Sequence, residues 1–124
     1  MESELERRDL AGQNLAGREL AGANLRWANL SGVDLSRASL IGADLSDADL
    51  SGARLVGADL SDADLSGVDM SRANLTCADL TGADLSGASL MGANLSRADL
   101  TDANLAYADL TGVVGVDLTG AVLE

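Results

Sequence analysis

The sequence predicts an all-β solenoid, a chain that turns a corner every few residues and stacks its short sides coil upon coil. Three observations carry this. Leu recurs at every fifth position from Leu5 to Leu110, 22 positions with Met70 the single substitute. From Ala23 to Ala108 the residue two before each of these is small, sixteen Ala with Val33 and Val68. Trp27 and Tyr107 are the whole aromatic content, 2% of the chain, so there is little material for an ordinary globular core.

A period of five suits neither regular element. Along an α-helix, at about 100° per residue, successive Leu would drift by about 140° and no apolar stripe would form. In a strand an odd period sends successive Leu to opposite faces. A chain that bends at every fifth residue can bury all of them, and repeats of this kind mark solenoids whose coils contact only their neighbours.

The repeated phrase is clearest in Ala43-Asp44-Leu45-Ser46-Asp47 and Ala83-Asp84-Leu85-Ser86-Gly87. It resembles the pentapeptide-repeat proteins, over essentially the whole chain. The resemblance implies a right-handed quadrilateral parallel β-helix with four pentapeptides per coil, about six coils in 124 residues, and the Leu and Ala positions facing inward. One internal pattern agrees with twenty residues per coil. The column Gly12, Gly32, Gly52, Arg72, Gly92, Gly112 is nearly all Gly, whereas the three equivalent columns are mixed.

Taken in order, residues 1–20 read as a polar N-terminal capping coil. Ser3, Arg8, Gln13 and Arg18 stand where later coils have Ala, and such side chains are too polar to bury unpaired. They are expected over the open end of the prism, where a solenoid needs atypical repeats. In the regular part, Gly at many corners suits a turn with positive φ at its third residue. Trp27, Arg37, Asp47, Arg72 and Tyr107 resist positive φ, so their corners are expected to use a different turn.

After Leu110 the register breaks, and residues 113–115, Val113-Val114-Gly115, read as a three-residue insertion. Residues 116–124 resume the phrase as a final apolar part-coil. Nothing interrupts the repeat elsewhere, so residues 1–124 read as one domain. Val116, Leu118, Val122 and Leu123 would leave an apolar edge, which a homodimer joined through the C-terminal end would cover. Several pentapeptide-repeat proteins dimerise at that end, commonly with a terminal helix that this chain lacks.

The net charge of −12 excludes the phosphate attraction on which direct nucleic-acid binding depends. No apolar run approaches the length of a membrane span, and the acidic Met1-Glu2-Ser3-Glu4-Leu5-Glu6 lacks the basic and apolar regions of a signal peptide. A cytoplasmic protein is expected. Cys77 is the single cysteine, at an outward corner, so no internal disulfide forms.

An enzyme is not expected. His and Lys are absent, Cys77 has no base within its repeat, and carboxylates on convex faces lie in no pocket that would raise their pKa. No cofactor or metal is expected, and calcium bridging of the Asp columns is less economical than a solvated face.

Two interaction classes remain. With twenty residues per coil, Asp44, Asp64 and Asp84 stack on one side and Asp59, Asp79 and Asp99 on another, at ~4.8 Å spacing. Over about 29 Å of rod the net charge is then one per roughly 2.4 Å, against one per ~1.7 Å along duplex DNA. Some pentapeptide-repeat proteins mimic DNA and bind DNA gyrase or topoisomerase IV, protecting against quinolone-type poisons. This chain departs from them: it is short, has no Phe at the Leu positions and has no long projecting loop. The preferred reading is a rigid acidic scaffold for another protein. Trp27 beside Arg26, and Tyr107 at the equivalent corner, are its candidate aromatic anchors.

Overall fold

Each pentapeptide builds one side and one corner of a coil. The protein is described here by a computed structural model covering residues 5–124; Ser3 of the expected capping coil lies outside them. At the corner, the Ala58 N–H donates to the Leu55 carbonyl at 3.0 Å, closing a four-residue turn, and the same bond recurs at corner after corner. Between corners the backbone is extended, and parallel bridges join residues twenty apart, as in Asp44 to Asp64 and Asp64 to Asp84. Twenty residues at five per side make a four-sided coil.

The ladders run up the four sides. The first joins Asn24, Asp44, Asp64, Asp84 and Asn104; the second joins Asp9, Asn29, Asp49, Asp69, Ser89 and Asp109. On the third are Asn14, Asp34, Arg54, Asn74, Asn94 and Val114; on the fourth, Glu19, Ser39, Asp59, Asp79 and Asp99. The central residue of each side bonds the coil before it twice, and its two neighbours bond the coil after. The Asp59 N–H donates to Ala38 C=O at 3.0 Å in the coil before, and the Asp59 carbonyl accepts from the Leu40 N–H at 2.7 Å.

Inward, the Leu positions from Leu25 to Leu95 are at most 1% exposed. Burial of each such side chain contributes about 1.5–3 kcal/mol before the entropy of ordering the chain is set against it. The Ala beside them are buried as fully. Four Leu per coil leave room for little more than a methyl group at each Ala position, which is why that position varies only to Val. Met70 takes a Leu slot with no exposure, because its unbranched thioether adapts to the available shape.

The corners correct one expectation. Trp27, Arg37, Asp47, Arg72 and Tyr107 have φ of 57–63°, so they use the turn that Gly52 uses at 65°. The ladder is the reason. At this turn the Arg72 N–H donates to Met91 C=O at 2.8 Å, as Gly52 N–H does to Ser71 C=O at 2.9 Å. A left-handed residue costs roughly 1–2 kcal/mol, less than breaking such bonds and displacing a buried Leu on either side.

The last coil corrects another. Residues 113–115 are not an insertion; the coil is two residues short. Val114 still bridges Asn94, twenty residues away, but Val122 bridges Asn104, eighteen away. The Leu105 N–H likewise bonds Val122 C=O at 2.7 Å, 17 residues on, where Leu85 N–H below it bonds Asn104 C=O, 19 on. Gly115 makes the short cut at φ 72°, so near Ser96 that a Cβ there would overlap its hydroxyl and lie 3.0 Å from its Cα. Among the described residues the fourth ladder ends at Asp99, below this passage.

Candidate interaction surfaces

The Asp side chains are folded onto their own corners. Asp59 Oδ1 accepts the Ser61 N–H at 3.0 Å and the Ser61 hydroxyl at 2.7 Å, and Asp49, Asp64 and Asp69 repeat the arrangement. Asn serves equally because the acceptor is one oxygen, as at Asn74 and Asn94. The local structure therefore needs the oxygen and leaves the charge free for other use.

Those hydrogen bonds favour the ionised form. At Asp99 and Asp117 the Thr101 and Thr119 hydroxyls, followed by their N–H groups, hold the carboxyl below its usual value, and Thr111 does so at Asp109. At Asp34 the Ser36 N–H leads, joined by its hydroxyl and by the charges of Arg54 and Arg37. A carboxyl whose pKa is lower folded than unfolded contributes stability above the unfolded value and loses it as pH falls through the folded value. The expected result is that these four groups support the fold fully above about pH 3.8 and lose that contribution progressively below it, as pH falls through their lowered folded values. Carboxyl-carbon NMR titration of Asp99 checks this: Thr101→Val should move its midpoint upward.

Charge is segregated around the prism. The first and fourth sides carry Asp44, Asp64, Asp84 and Asp59, Asp79, Asp99, and the corner between them holds Asp62 and Asp102 without an arginine. Arg54 stands on the third side, Arg72 at the corner before it, and Arg37 and Arg97 at the corner after it. The acidic edge is thus diagonally opposite the corner of Arg72. Near the N-terminus Arg26 lies 3.8 Å from Asp44, the edge's first carboxylate.

Trp27 is half-covered by two arginines. The guanidinium of Arg7, one coil below, lies 4.0 Å from its ring centroid and that of Arg26 5.0 Å, stacking worth roughly 0.5–1 kcal/mol at an exposed site. Tyr107, on the same corner, is 95% exposed. The two aromatics are not brought together. Arg7 is a contact that sequence reasoning missed, although its place twenty residues before Trp27 marks it.

Arg8, Gln13 and Arg18 are exposed, and Gln13 and Arg18 line a cavity of about 200 Å³ at the N-terminal mouth with Leu5, Leu10, Leu15, Leu20 and Leu25. At the other end Val116 and Leu118 pack partly against the core, while Val122 and Leu123 are about half exposed. Cys77 is exposed. Among the described residues no group of acidic, Cys or His side chains is arranged to hold a metal ion, and no helix is long and apolar enough to cross a membrane.

Against known proteins, the sequence profile described as Pentapeptide repeats (8 copies) matches residues 19–56, 53–90 and 78–114. The chain belongs to the pentapeptide-repeat family. A pentapeptide-repeat protein of solved structure, Rfr23 from the cyanobacterium Cyanothece 51142, is 33% identical, with a TM-score of 0.87 over 98% of this chain and 94% of that one. Pentapeptide-repeat proteins form right-handed quadrilateral β-helices, and this chain does so.

Two other similar solved structures are alr5209, a pentapeptide-repeat protein from Nostoc Pcc 7120, and a trypsin-treated form of QnrB1, described as a plasmid-mediated fluoroquinolone resistance protein. The first is 37% identical, with a TM-score of 0.31 over 100% of this chain and 90% of that one. The second is 20% identical, with a TM-score of 0.34 over 98% and 92%. At those TM-scores neither bears on the function of this pentapeptide-repeat protein. No curated protein matches the chain.

Proposed function

We propose that the chain is a non-catalytic scaffold that meets a basic surface of another protein with the acidic edge between its fourth and first sides. The segregation of charge carries this reading: beyond Arg26, which lies beside Asp44 at the N-terminal end of the edge, the arginines of the regular coils gather about the third side and leave the opposite edge acidic. Charge arranged in this way steers and orients a partner more than it tightens the final complex. The chain's ladder bonds hold the carboxylates in fixed rows, so little order is lost on docking.

The test replaces Asp44, Asp64 and Asp84 by Asn. Asn retains the corner acceptor, so the fold stands and is slightly stabilised by relief of like-charge stacking. Affinity for a deca-lysine peptide at low salt is expected to fall about tenfold, the sum of three modest exposed pairs. Trp27→Ala should change it little. Unchanged binding by the triple variant would defeat the reading.

A second reading is DNA mimicry directed at DNA gyrase or topoisomerase IV. It is favoured by the rows of carboxylates, ~4.8 Å apart along the axis, against phosphates at about 3.4 Å along one DNA strand. A supercoiling titration with and without a fluoroquinolone decides it. Inhibition or drug protection that vanishes in the triple variant supports mimicry, and no effect at large excess over gyrase removes it.

A further inference from the structure

We propose that the gap left by the short last coil is a docking site for an extended basic segment of a partner protein, which adds there as one more rung of the fourth ladder. The inference rests on the scaffold reading and says where a partner's chain would lie.

The gap follows from the register. Between Leu95 and Leu100 the chain spends four residues in passing from the third side to the fourth, whereas between Gly115 and Leu118 above them it spends two. The shorter passage leaves a cavity of about 310 Å³ against Arg97, Ala98, Asp99, Leu100, Asp117 and Thr119. That volume lies at the lower end of the range of small-ligand sites.

One wall is an unfinished parallel edge. A coil lower, Asp99 completes the pattern: its N–H donates to Ala78 C=O at 3.0 Å and its carbonyl accepts from the Leu80 N–H at 2.8 Å. The matching pair one rung higher is Ala98 C=O and Leu100 N–H, and no described residue bonds either. The Arg97 N–H is also left over, where Cys77 N–H beneath it reaches Ser96 C=O at 2.9 Å. A single extended residue, offering one N–H and one C=O in the orientation of Asp99, closes the Ala98 and Leu100 pair. Strand addition of this kind takes its affinity from main-chain bonds and its choice of partner from side chains.

The side chains select for a cation. An added residue would carry its outward side chain ~4.8 Å above Asp99, with Asp79 below and Asp117 beside the gap. Asp117 already feels the charge of Asp99. Lys or Arg on the added rung neutralises that crowding, and Glu or Asp increases it. Arg97, at the corner, bounds the basic segment to the fourth side.

The test is an ¹⁵N amide titration of the full chain with acetyl-Val-Lys-Val-Lys-amide, its Glu counterpart, and lysine amide. Only the Lys peptide should shift the Arg97 and Leu100 amides and slow their exchange, by on the order of tenfold at saturation. The double variant Asp99→Asn, Asp117→Asn should weaken it several-fold. Inserting Ala-Asp between Gly115 and Val116, which restores twenty residues to the coil, should abolish it; the Asn variant keeps the test decisive if that insertion misfolds.

Equal shifts from lysine amide, shifts along Asp59 and Asp79 without protection of Arg97 and Leu100, or full binding by the insertion variant would each overturn the proposal. So would protection that appears on concentrating the protein alone, which would seat a second copy in the gap. Deca-lysine binding that persists while the gap stays idle overturns this inference and leaves the scaffold reading standing; loss of both overturns the scaffold reading itself.

Discussion

Leu60→Ala is expected to lower the unfolding free energy by about 2–5 kcal/mol. Leu60 is fully buried, and its neighbours along the axis, Leu40 and Leu80, are fully buried too. The void cannot readily collapse, because each wall is held in place by ladder bonds to the coils above and below, such as Leu60 N–H to Asp79 C=O at 2.7 Å. In a solenoid each coil is stabilised mainly by the two beside it, so a hole in the middle weakens two interfaces at once. Leu60→Met should cost less than about 1.5 kcal/mol, since Met70 already occupies an equivalent slot. Urea unfolding of the three proteins side by side gives both differences.

Gly115→Ala is expected to cost about 2–4 kcal/mol, combining a left-handed conformation with overpacking. Its new methyl would meet the Ser96 hydroxyl and backbone, which cannot withdraw without disturbing the Leu95 to Val114 bond of 2.9 Å. The loss should be local. Hydrogen exchange would accelerate at Leu95, Asp102 and Leu105, whose N–H groups bond the last coil, and stay unchanged at Leu60. Gly52→Ala is the control: its methyl meets nothing within 4 Å, so only the roughly 1–2 kcal/mol backbone term applies.

The coil was legible in the sequence because one physical demand, an inward Leu, repeats at a period that only a cornered chain can satisfy. Trp27 and Arg72 were misread because their φ preferences were judged residue by residue, while the ladder bonds above and below each corner decide the turn. The spacing of eight between Leu110 and Leu118 fits five plus three or ten minus two equally well. Only the partner of Val122 distinguishes them, and it is Asn104.

The acidic rows followed directly from the coil length. Two features did not. One is the double use of Asp, in which Oδ1 builds the corner while the charge faces outward; Asn29, Asn74 and Asn94 in the same positions are the signal that the oxygen matters locally. The other is the gap beside Asp99, which exists only because a coil closes two residues early.

The most direct test of the acidic edge is an amide chemical-shift map of the full chain bound to deca-lysine at low salt. The account predicts shifts concentrated on the first and fourth ladders, around Asp44, Asp64 and Asp84 and around Asp59, Asp79 and Asp99, with little change at Asn74 and Asn94 on the third. Shifts of equal size on all four sides, or largest beside Trp27 and Tyr107, would contradict it.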